Sequence, residues 1–264
     1  MLAALELNCE REAERIAAFI RAQLAQAHHE RLVLGLSGGI DSALVGALAI
    51  RAVGAQNLKA LILPHRTSNP DSEAHARLLI DAWGCPWAKF EISDVVAPFV
   101  AQWPDISEGR KGNLMARARM MALYDQSAAF KGLVVGTSNR TETLLGYFTL
   151  FGDGAAAFKP IGHLYKCQVR ALSRFLRLPA VIVDKAPSAD LWAGQTDEGE
   201  LGFSYDEADQ VLYLLTEEHL TCEQAAEHGF DLRVVQAIDR RMRSTAFKRL
   251  PTPVLPTAAE VGRE

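Results

Sequence analysis

Two serines and three glycines accompany a single carboxylate in residues 34–42, which read LGLSGGIDS. Gly38 and Gly39 let the backbone adopt a positive φ and approach a ligand closely. If a strand precedes this segment and a helix follows it, the exposed N–H groups and the helix N-terminus form an anion site suited to phosphate or pyrophosphate. Ser37 and Ser42 supply hydroxyl donors for the same ligand. The segment therefore predicts a phosphate-binding loop.

Asp41 is the residue of this loop that does not suit an anion, because a carboxylate repels phosphate. A Mg²⁺ ion between the carboxylate and the phosphate removes that repulsion. The alternative is structural: a glycine turn followed by a serine that caps a helix. The segment is not a Walker A loop, since no Gly-Lys-Ser or Gly-Lys-Thr follows it.

The elements that must position this loop alternate between strand and helix patterns. Runs typical of buried strands lie at residues 31–36, 58–63, 88–92 and 133–135. A first helix carries an apolar stripe of Ile16, Ile20 and Leu24, and further helix patterns cover residues 42–53, 71–83, 113–131 and 164–176. This alternation predicts one α/β domain over residues 1–264, a doubly wound parallel sheet with helices on both faces and right-handed crossovers.

The remaining segments are more polar. Residues 187–204 predict a long loop, and loops of that length in compact domains are usually functional or disordered. We expect this loop to be mobile without ligands and ordered over bound ATP. Two helices should follow, one opened by a capping box at Thr221 and Gln224 and the last capped by Asp231. Residues 251–264 contain three prolines and predict an extended tail.

Composition and charge exclude several classes of protein. The chain has 28 basic and 32 acidic residues and a net charge of −4, so its bulk charge argues against a nucleic-acid partner. Its four cysteines form no C-x-x-C pair, which argues against zinc or a disulfide framework and fits a reducing cytoplasm. The longest apolar run, residues 43–50, is far shorter than the roughly 20 residues of a membrane span, and no signal peptide is evident. We expect a cytoplasmic protein with no membrane partner.

The S-G-G-I-D-S loop resembles the pyrophosphate loop of the ATP-pyrophosphatase superfamily, whose members split ATP into AMP and pyrophosphate. GMP synthetase, argininosuccinate synthetase, tRNA-thiolating enzymes and NAD synthetase share this loop. A further set of motifs, in order along nearly the whole chain, resembles NAD synthetase. These motifs are P-H-R-T-S at 64–68, G-N-L-M-A-R at 112–117, V-G-T-S-N-R-T-E at 135–142, L-G-Y-F-T at 145–149, G-D-G at 152–154, P-I-G at 160–162, L-Y-K at 164–166, the polar segment 187–198, and K-R at 248–249.

The resemblance to NAD synthetase implies a fold of the adenine nucleotide α-hydrolase type and an ATP-dependent amidation of nicotinic acid adenine dinucleotide, or deamido-NAD. The substrate carboxylate reacts at the α-phosphate of ATP to give an NAD-adenylate and pyrophosphate. Ammonia then displaces AMP and leaves the amide of NAD. The resemblance also implies Mg²⁺ as cofactor and a homodimer with the dinucleotide site near its interface.

The same resemblance assigns roles to individual residues. Asp41 and Glu142 are the expected Mg²⁺ ligands, and Asp41 and Lys166 the expected catalytic residues. Arg117 and Lys248 are expected to contact deamido-NAD. The expected ATP contacts are Gly35, Leu36, Ser37, Gly38, Gly39, Ile40, Asp41, Ser42, Arg66, Thr137, Lys166 and Ser188. Without the resemblance, Glu142 would be a favourable charge in the first turn of a helix, and Arg66 and Lys166 would be surface residues.

Three positions depart from the pattern of the short, ammonia-using synthetases. This chain has Leu150, Ala157 and Phe247 where that pattern has Lys, Asp and His. All three positions serve the deamido-NAD half of the site, so the departure can indicate a different acyl substrate. Alternatively, Leu150 and Phe247 resemble the longer, glutamine-using synthetases. Those enzymes carry an N-terminal glutaminase domain, for which the residues ahead of the loop leave no room.

The sequence therefore predicts ammonia as nitrogen donor, taken up free or delivered by a separate glutaminase. One alternative is a paralogue that adenylates and amidates a different carboxylate. A sulfur-transferring or tRNA-modifying pyrophosphatase would call for paired cysteines or a basic face, and the sequence has neither. A non-catalytic nucleotide-binding module is the alternative from another class, and Asp41, Glu142 and Lys166 argue against it.

Overall fold

A single parallel sheet organises the chain in the computed structural model, which describes residues 2–186 and 197–255. Its strands follow the order β3-β2-β1-β4, and each neighbouring pair is parallel. The strands are β1 (Arg31–Gly35), β2 (Leu58–Ile62), β3 (Trp87–Lys89) and β4 (Gly132–Val134). After β1 the chain forms β2 and β3 on one side of β1, and β4 then pairs with the other edge of β1. The order of the strands thus reverses at β1, which is where ligands bind in open α/β sheets.

Helices account for most of the rest of residues 2–186 and 197–255. They are α1 (Cys9–Gln26), α2 (Ile40–Val53), α3 (Pro70–Trp83), α4 (Ser93–Gln102), α5 (Glu108–Phe130), α6 (Arg140–Leu145), α7 (Lys166–Phe175), α8 (Ala180–Val183), α9 (Asp197–Leu201), α10 (Tyr205–Thr216), α11 (Cys222–Ala226) and α12 (Leu232–Ser244). Short 3₁₀ turns lie at Ala3–Leu5, Ala55–Asn57 and Ala246–Arg249. Within this described part of the chain, no helix is both long and apolar enough to cross a bilayer.

The two faces of the sheet bury different helices, as the alternation of side chains along a strand requires. Leu32 and Leu34 of β1 pack on one face with α1, α2, α3 and α7. Val33 of the same strand, with Leu61 of β2, packs on the other face with α4 and α5. A third cluster joins α6 and α7 to α10, α11 and α12. Helices on both faces confirm the doubly wound fold.

Helix boundaries follow local capping, which explains where the sequence-based ranges were right and wrong. The capping box at Thr221 and Gln224 and the Asp231 cap are confirmed. The long helix α5 begins at Glu108 rather than at residue 113, because the Ser107 side chain accepts from the Arg110 N–H. The helix ends at Phe130, and its C-cap, Lys131, adopts the left-handed conformation with φ 53°. The next residue, Gly132, already belongs to β4.

Two further predictions were wrong in part. Helix α4 was not predicted, and the run 88–92 contains a strand only at its start, although Phe90 and Ile92 still donate to the carbonyls of Ile62 and Pro64. The predicted loop 187–204 includes helix α9, and three helices follow it instead of two. Residues 187–196, with Ser188 and most of that loop, lie outside the described residues.

Candidate active site

The S-G-G-I-D-S loop connects β1 to α2 at the point where the strand order reverses. Gly38 has φ +76° and Gly39 is the N-cap of α2. The two serines fix the loop from within: the Ser42 hydroxyl donates to the Gly39 carbonyl at 2.9 Å, and the Ser37 and Ser42 hydroxyl oxygens lie 3.1 Å apart. The loop is therefore held in shape by its own residues, with the N-terminus of a fourteen-residue helix behind it.

Gly38 also lies where another element leaves no room for a side chain. A Cβ atom there would overlap the backbone carbonyl oxygen of Ser72 in α3. The positive φ and this close approach both require glycine. Gly38 therefore joins the loop to α3, and its backbone rather than a side chain shapes the site.

Two carboxylates and one ammonium group form the polar centre of the site. Asp41 lies in the first turn of α2, Glu142 in the first turn of α6, and Lys166 is the first residue of α7. The Lys166 Nζ lies 2.6 Å from Asp41 Oδ2 and 3.1 Å from Glu142 Oε1. The Lys166 residue is only 2% exposed, so this is an ion-pair triad inside the protein rather than on its surface.

Burial and charge set the protonation of this triad. Burial raises the pKa of Glu142 to about 7, the Asp41 charge adds to the rise, and the Lys166 ammonium opposes it. Burial alone would lower the pKa of Lys166, but the two carboxylates outweigh burial and raise it. Lys166 is therefore a fixed positive charge, and Glu142 is the carboxylate of the triad whose charge responds to its surroundings.

Asn139 connects the two carboxylates. It is fully buried and is the N-cap of α6. Its Oδ1 accepts from the Glu142 N–H at 2.9 Å, and its Nδ2 donates to Asp41 Oδ1 at 2.9 Å. Its own N–H donates to Glu142 Oε2 at 3.3 Å. Asn139 lies within the V-G-T-S-N-R-T-E motif, but the sequence alone predicted no role for it.

Two tyrosines donate to the same carboxylate, that of Asp197, and one of them contacts Lys166. The fully buried Tyr205 places its ring 5.1 Å from the Lys166 Nζ and donates through its hydroxyl to Asp197 Oδ2 at 3.1 Å. Tyr147 donates to Asp197 Oδ1 at 3.1 Å and to Glu200 Oε2 at 3.0 Å. Sequence reasoning gave these residues no role, although Tyr147 and Asp197 lie inside quoted motifs.

A cavity of about 780 Å³ opens over the loop and the triad, within the size range of pockets that hold small molecules. It brings together residues from β1, β2, β4 and the loops that follow them, at the carboxyl ends of the strands. Of the predicted site residues, its lining includes Gly35, Leu36, Ser37, Gly39, Ile40, Asp41, Ser42, Arg66, Thr137, Glu142, Lys166 and Lys248.

Several basic side chains line this cavity in addition to Lys166. Lys248 donates from Nζ to the Gly146 and Phe148 carbonyls, both at 2.9 Å, and burial lowers the pKa of Lys248. Arg119 of α5 donates to the Leu63 carbonyl at 3.0 Å. Sequence reasoning gave no role to Arg119, Lys185 or Arg241, which the structure places in the lining. These cations suit a ligand with several phosphates.

Arg117, Ala157 and Phe247 are not among the residues that line the cavity. Arg117 is exposed on α5 and donates to the Leu150 carbonyl at 3.3 Å. Ala157 is exposed, and Phe247 is 63% exposed. Ser188 lies outside the described residues. The assignment of these positions to an acyl substrate stays a prediction.

Comparison with known proteins gives a consistent result. The family model described as NAD synthase matches residues 12–252. The NH(3)-dependent NAD(+) synthetase of Trichlorobacter lovleyi is 46% identical over 257 residues, which cover 97% of this chain and 93% of that protein.

Two solved structures share both the fold and part of the sequence. The NMN synthetase of Francisella tularensis superposes with a TM-score of 0.85 at 32% identity, covering 96% of this chain and all of the other. The NH3-dependent NAD synthetase of Campylobacter jejuni superposes with a TM-score of 0.81, also at 32% identity, covering 95% of this chain and all of the other.

Proposed function

The chain belongs to the NAD synthase family, and we propose that it converts deamido-NAD to NAD with ATP and ammonia at the cavity around Asp41, Glu142 and Lys166. In this reaction it is a ligase that forms a carbon–nitrogen bond. The observation that carries the proposal is the buried Lys166 ammonium, held between two carboxylates directly beside an anion-binding loop. A cavity that bound only neutral ligands would not require a buried ammonium group held between two carboxylates.

The first step is adenylation of the substrate carboxylate. A carboxylate oxygen attacks the α-phosphorus of ATP, the bond from that phosphorus to the bridging oxygen breaks, and pyrophosphate leaves with the electron pair. The S-G-G-I-D-S loop and the N-terminus of α2 suit the phosphates that leave. Lys166, Arg66 and Lys185 offer positive charge to the same groups. These residues act by positioning and by charge stabilisation.

The residues at the triad fit a bound Mg²⁺ ion. Asp41 and Glu142 are hard oxygen donors from two different helices, and the protein already stabilises one positive charge between them. Nowhere in the part of the chain that the structure describes do three His, Cys, Asp or Glu side chains cluster, so the protein would offer the ion two carboxylates here. Two carboxylates suit Mg²⁺, which usually keeps several waters and binds substrate phosphates. When bound, the ion would neutralise phosphate charge.

The second step is amidation. The lone pair of ammonia attacks the acyl carbon of the adenylate, the bond from that carbon to the AMP oxygen breaks, and AMP leaves. The nitrogen then gives up one proton and the neutral amide remains. Ammonium has no lone pair, so the rate at fixed total ammonium should increase with pH.

A homodimer is part of the proposal. Helices α4 and α5 pack against each other and both expose large apolar side chains. The ring centroids of Phe99 and Trp103 lie 6.2 Å apart in a stacked pair. Met121 and Tyr124 of α5 are 52% and 41% exposed. Arg117, assigned to the dinucleotide, lies on the same helix as these two residues. Exposed apolar patches of this kind mark protein interfaces, and light scattering of Trp103→Glu against the native chain tests the dimer.

The four free cysteines support a reducing cytoplasm.

A second candidate acyl substrate is nicotinic acid mononucleotide, which lacks the AMP half of deamido-NAD. Leu150, Ala157 and Phe247 replace three polar or charged residues that the dinucleotide-binding pattern calls for. The superposition on an NMN synthetase at a TM-score of 0.85 also favours the mononucleotide as substrate. Both substrates present the same nicotinate carboxylate, so the adenylation machinery would be unchanged.

A substrate comparison tests the proposed function. The purified chain receives ATP, Mg²⁺ and ammonium with either deamido-NAD or the mononucleotide, and kcat/KM is measured for each. The proposal expects NAD from deamido-NAD, with AMP and pyrophosphate formed in equal amounts. A kcat/KM at least tenfold higher for the mononucleotide would favour the second candidate. Glutamine in place of ammonium should give no product, and glutamate released in step with NAD would overturn ammonia as the direct donor.

A further inference from the structure

Asn139 makes two side-chain hydrogen bonds of opposite polarity. Its carbonyl oxygen accepts from the N–H of Glu142, and its amide nitrogen donates to Asp41, which lies 98 residues away in sequence. The orientation of the amide follows from these partners, because a carboxylate accepts and an N–H donates. The side chain is fully buried, so both bonds are shielded from water.

Capping alone does not require asparagine at this position. Two other helices of the chain carry the same capping box with a hydroxyl: Ser204 with Glu207 at α10, and Thr221 with Gln224 at α11. Serine and aspartate cap helices about as well as asparagine, and threonine caps them somewhat less well. What an asparagine adds is the N–H₂ arm, which Ser204 and Thr221 lack. At position 139 that arm is used on Asp41.

Together, Asn139 and Lys166 engage each oxygen of the two carboxylates. Lys166 Nζ pairs with Asp41 Oδ2 and Glu142 Oε1, while Asn139 donates to Asp41 Oδ1 from its side chain and to Glu142 Oε2 from its backbone. Lys166 is a charge, and it competes with any cation that the carboxylates attract. Asn139 is neutral, so it holds both carboxylates without cancelling the negative charge that attracts a cation.

We propose that Asn139 is a positioning residue that fixes Asp41 and Glu142 as a pair for a divalent cation. This rests on the proposed function in one respect, that the cation serves the ATP reaction. The contacts that carry it are those of Asn139 itself. Without the N–H₂ arm, Asp41 retains Lys166 as a partner but loses the bond that ties it to α6, so the two carboxylates are no longer held by one residue.

The variant Asn139→Ser separates the two roles, because serine keeps the cap and removes the donor to Asp41. The probe is Mn²⁺, which suits the same oxygen ligands as Mg²⁺ and is followed by electron paramagnetic resonance, with and without the α,β-methylene analogue of ATP. We expect the Mn²⁺ dissociation constant to rise about tenfold or more, since a hydrogen bond to a charged group is lost. The matched control is Thr221→Ala, which removes a cap from α11 and should leave Mn²⁺ binding unchanged.

Two outcomes would overturn the proposal: an unchanged Mn²⁺ affinity in folded Asn139→Ser, or an equal loss of affinity in Thr221→Ala. If the serine variant does not fold, Asn139→Thr takes its place, because threonine is close to asparagine in size and also caps. The metal readout does not depend on turnover. If the native chain binds Mn²⁺ but forms no NAD, the proposed function fails, while the result on Asn139 stands.

Discussion

The Lys166 ammonium lies 2.6 Å from the Asp41 carboxylate, although 125 residues separate the two along the chain. One residue opens α7 and the other sits in the first turn of α2, and these two helices pack against each other. The sheet thus brings together a cation and an anion that the local sequence pattern of neither residue requires. The contact makes the phosphate loop part of a charged site rather than a simple helix cap.

Asp41→Asn tests the role of the carboxylate in this contact. The amide keeps the size of the side chain but removes a Mg²⁺ ligand beside the phosphates. We expect turnover at saturating Mg²⁺ to fall roughly a hundredfold or more, about 3 kcal/mol of transition-state stabilisation. The control is Asp206→Asn, since Asp206 pairs with Arg170 at the surface. Near-native kcat in Asp41→Asn would contradict its assignment as a metal ligand.

Lys166→Met tests the buried cation. Removing it leaves Asp41 and Glu142 facing each other with no neutralising partner, and breaking a buried ion pair in this way costs about 3 kcal/mol. We expect a lower Tm in metal-free buffer and a larger rise in Tm on adding Mg²⁺ than in the native chain. Lys59→Met is the control, because the Lys59 ammonium contacts two uncharged groups, the Gln126 amide and the Phe130 ring. Equal Mg²⁺ responses in Lys166→Met and native protein would count against the triad.

Gly38→Ala tests whether the phosphate loop depends on the approach of α3. The substituted residue would have to keep the positive φ of Gly38, and its Cβ would overlap the Ser72 carbonyl oxygen. Gly84→Ala is a matched control, because Gly84 has φ +63° and an added Cβ meets nothing within 4 Å. Urea unfolding should give a loss of about 1 kcal/mol for Gly84→Ala. The loss for Gly38→Ala should be at least about twice as large. Equal losses of unfolding free energy in the two variants would mean that α3 accommodates the added Cβ at no cost in stability.

Glu12 should give the chain an acid-sensitive contact. Burial would raise the pKa of Glu12, but hydrogen bonds from Arg15 and His163 outweigh burial and hold it below its usual value. A lowered pKa in the folded state means that the ionised form stabilises the fold at neutral pH. This stabilisation is complete above the unfolded-state pKa of about 4.3 and is lost as the pH falls through the folded-state value.

The variant Glu12→Gln should therefore be less stable than the native chain at pH 7, and the difference should shrink below about pH 4. Urea unfolding at several pH values measures it. Glu14→Gln on the same helix is the control, because the Glu14 side chain is 56% exposed and pairs with Arg51 at the surface. If the free energy of unfolding of Glu12→Gln differs from that of the native protein by the same amount at every pH, ionised Glu12 does not stabilise the fold as proposed.

The parts of this molecule that the sequence predicted are those with local signals. The apolar runs of β1 and β2, the glycines that end α2 and α3, and the capping box of α11 each depend on a few neighbouring residues. The prediction of a loop over residues 187–204 was wrong in part. Asp197, Glu198 and Glu200 lie in the first turn of a short helix, and acidic residues favour a helix N-terminus as well as a loop.

The contacts inside the site could not be predicted in this way. Motif resemblance named Asp41, Glu142 and Lys166, but the Asn139 bond to Asp41 and the Tyr205 ring beside Lys166 depend on the packing of distant helices. The two arginines of α5 show the same limit. Arg117 and Arg119 are two positions apart, so they point to different sides of the helix, and only the fold decides which one lines the cavity.

The most direct test of the account follows oxygen from the acyl substrate. Deamido-NAD labelled with ¹⁸O in both carboxylate oxygens is converted by the purified chain with ATP, Mg²⁺ and ammonium, and the products are weighed by mass spectrometry. Attack of the carboxylate on the α-phosphorus predicts that one heavy oxygen appears in AMP, one stays in the amide of NAD, and pyrophosphate carries none. Unlabelled AMP, or label in pyrophosphate, would contradict adenylation at this site.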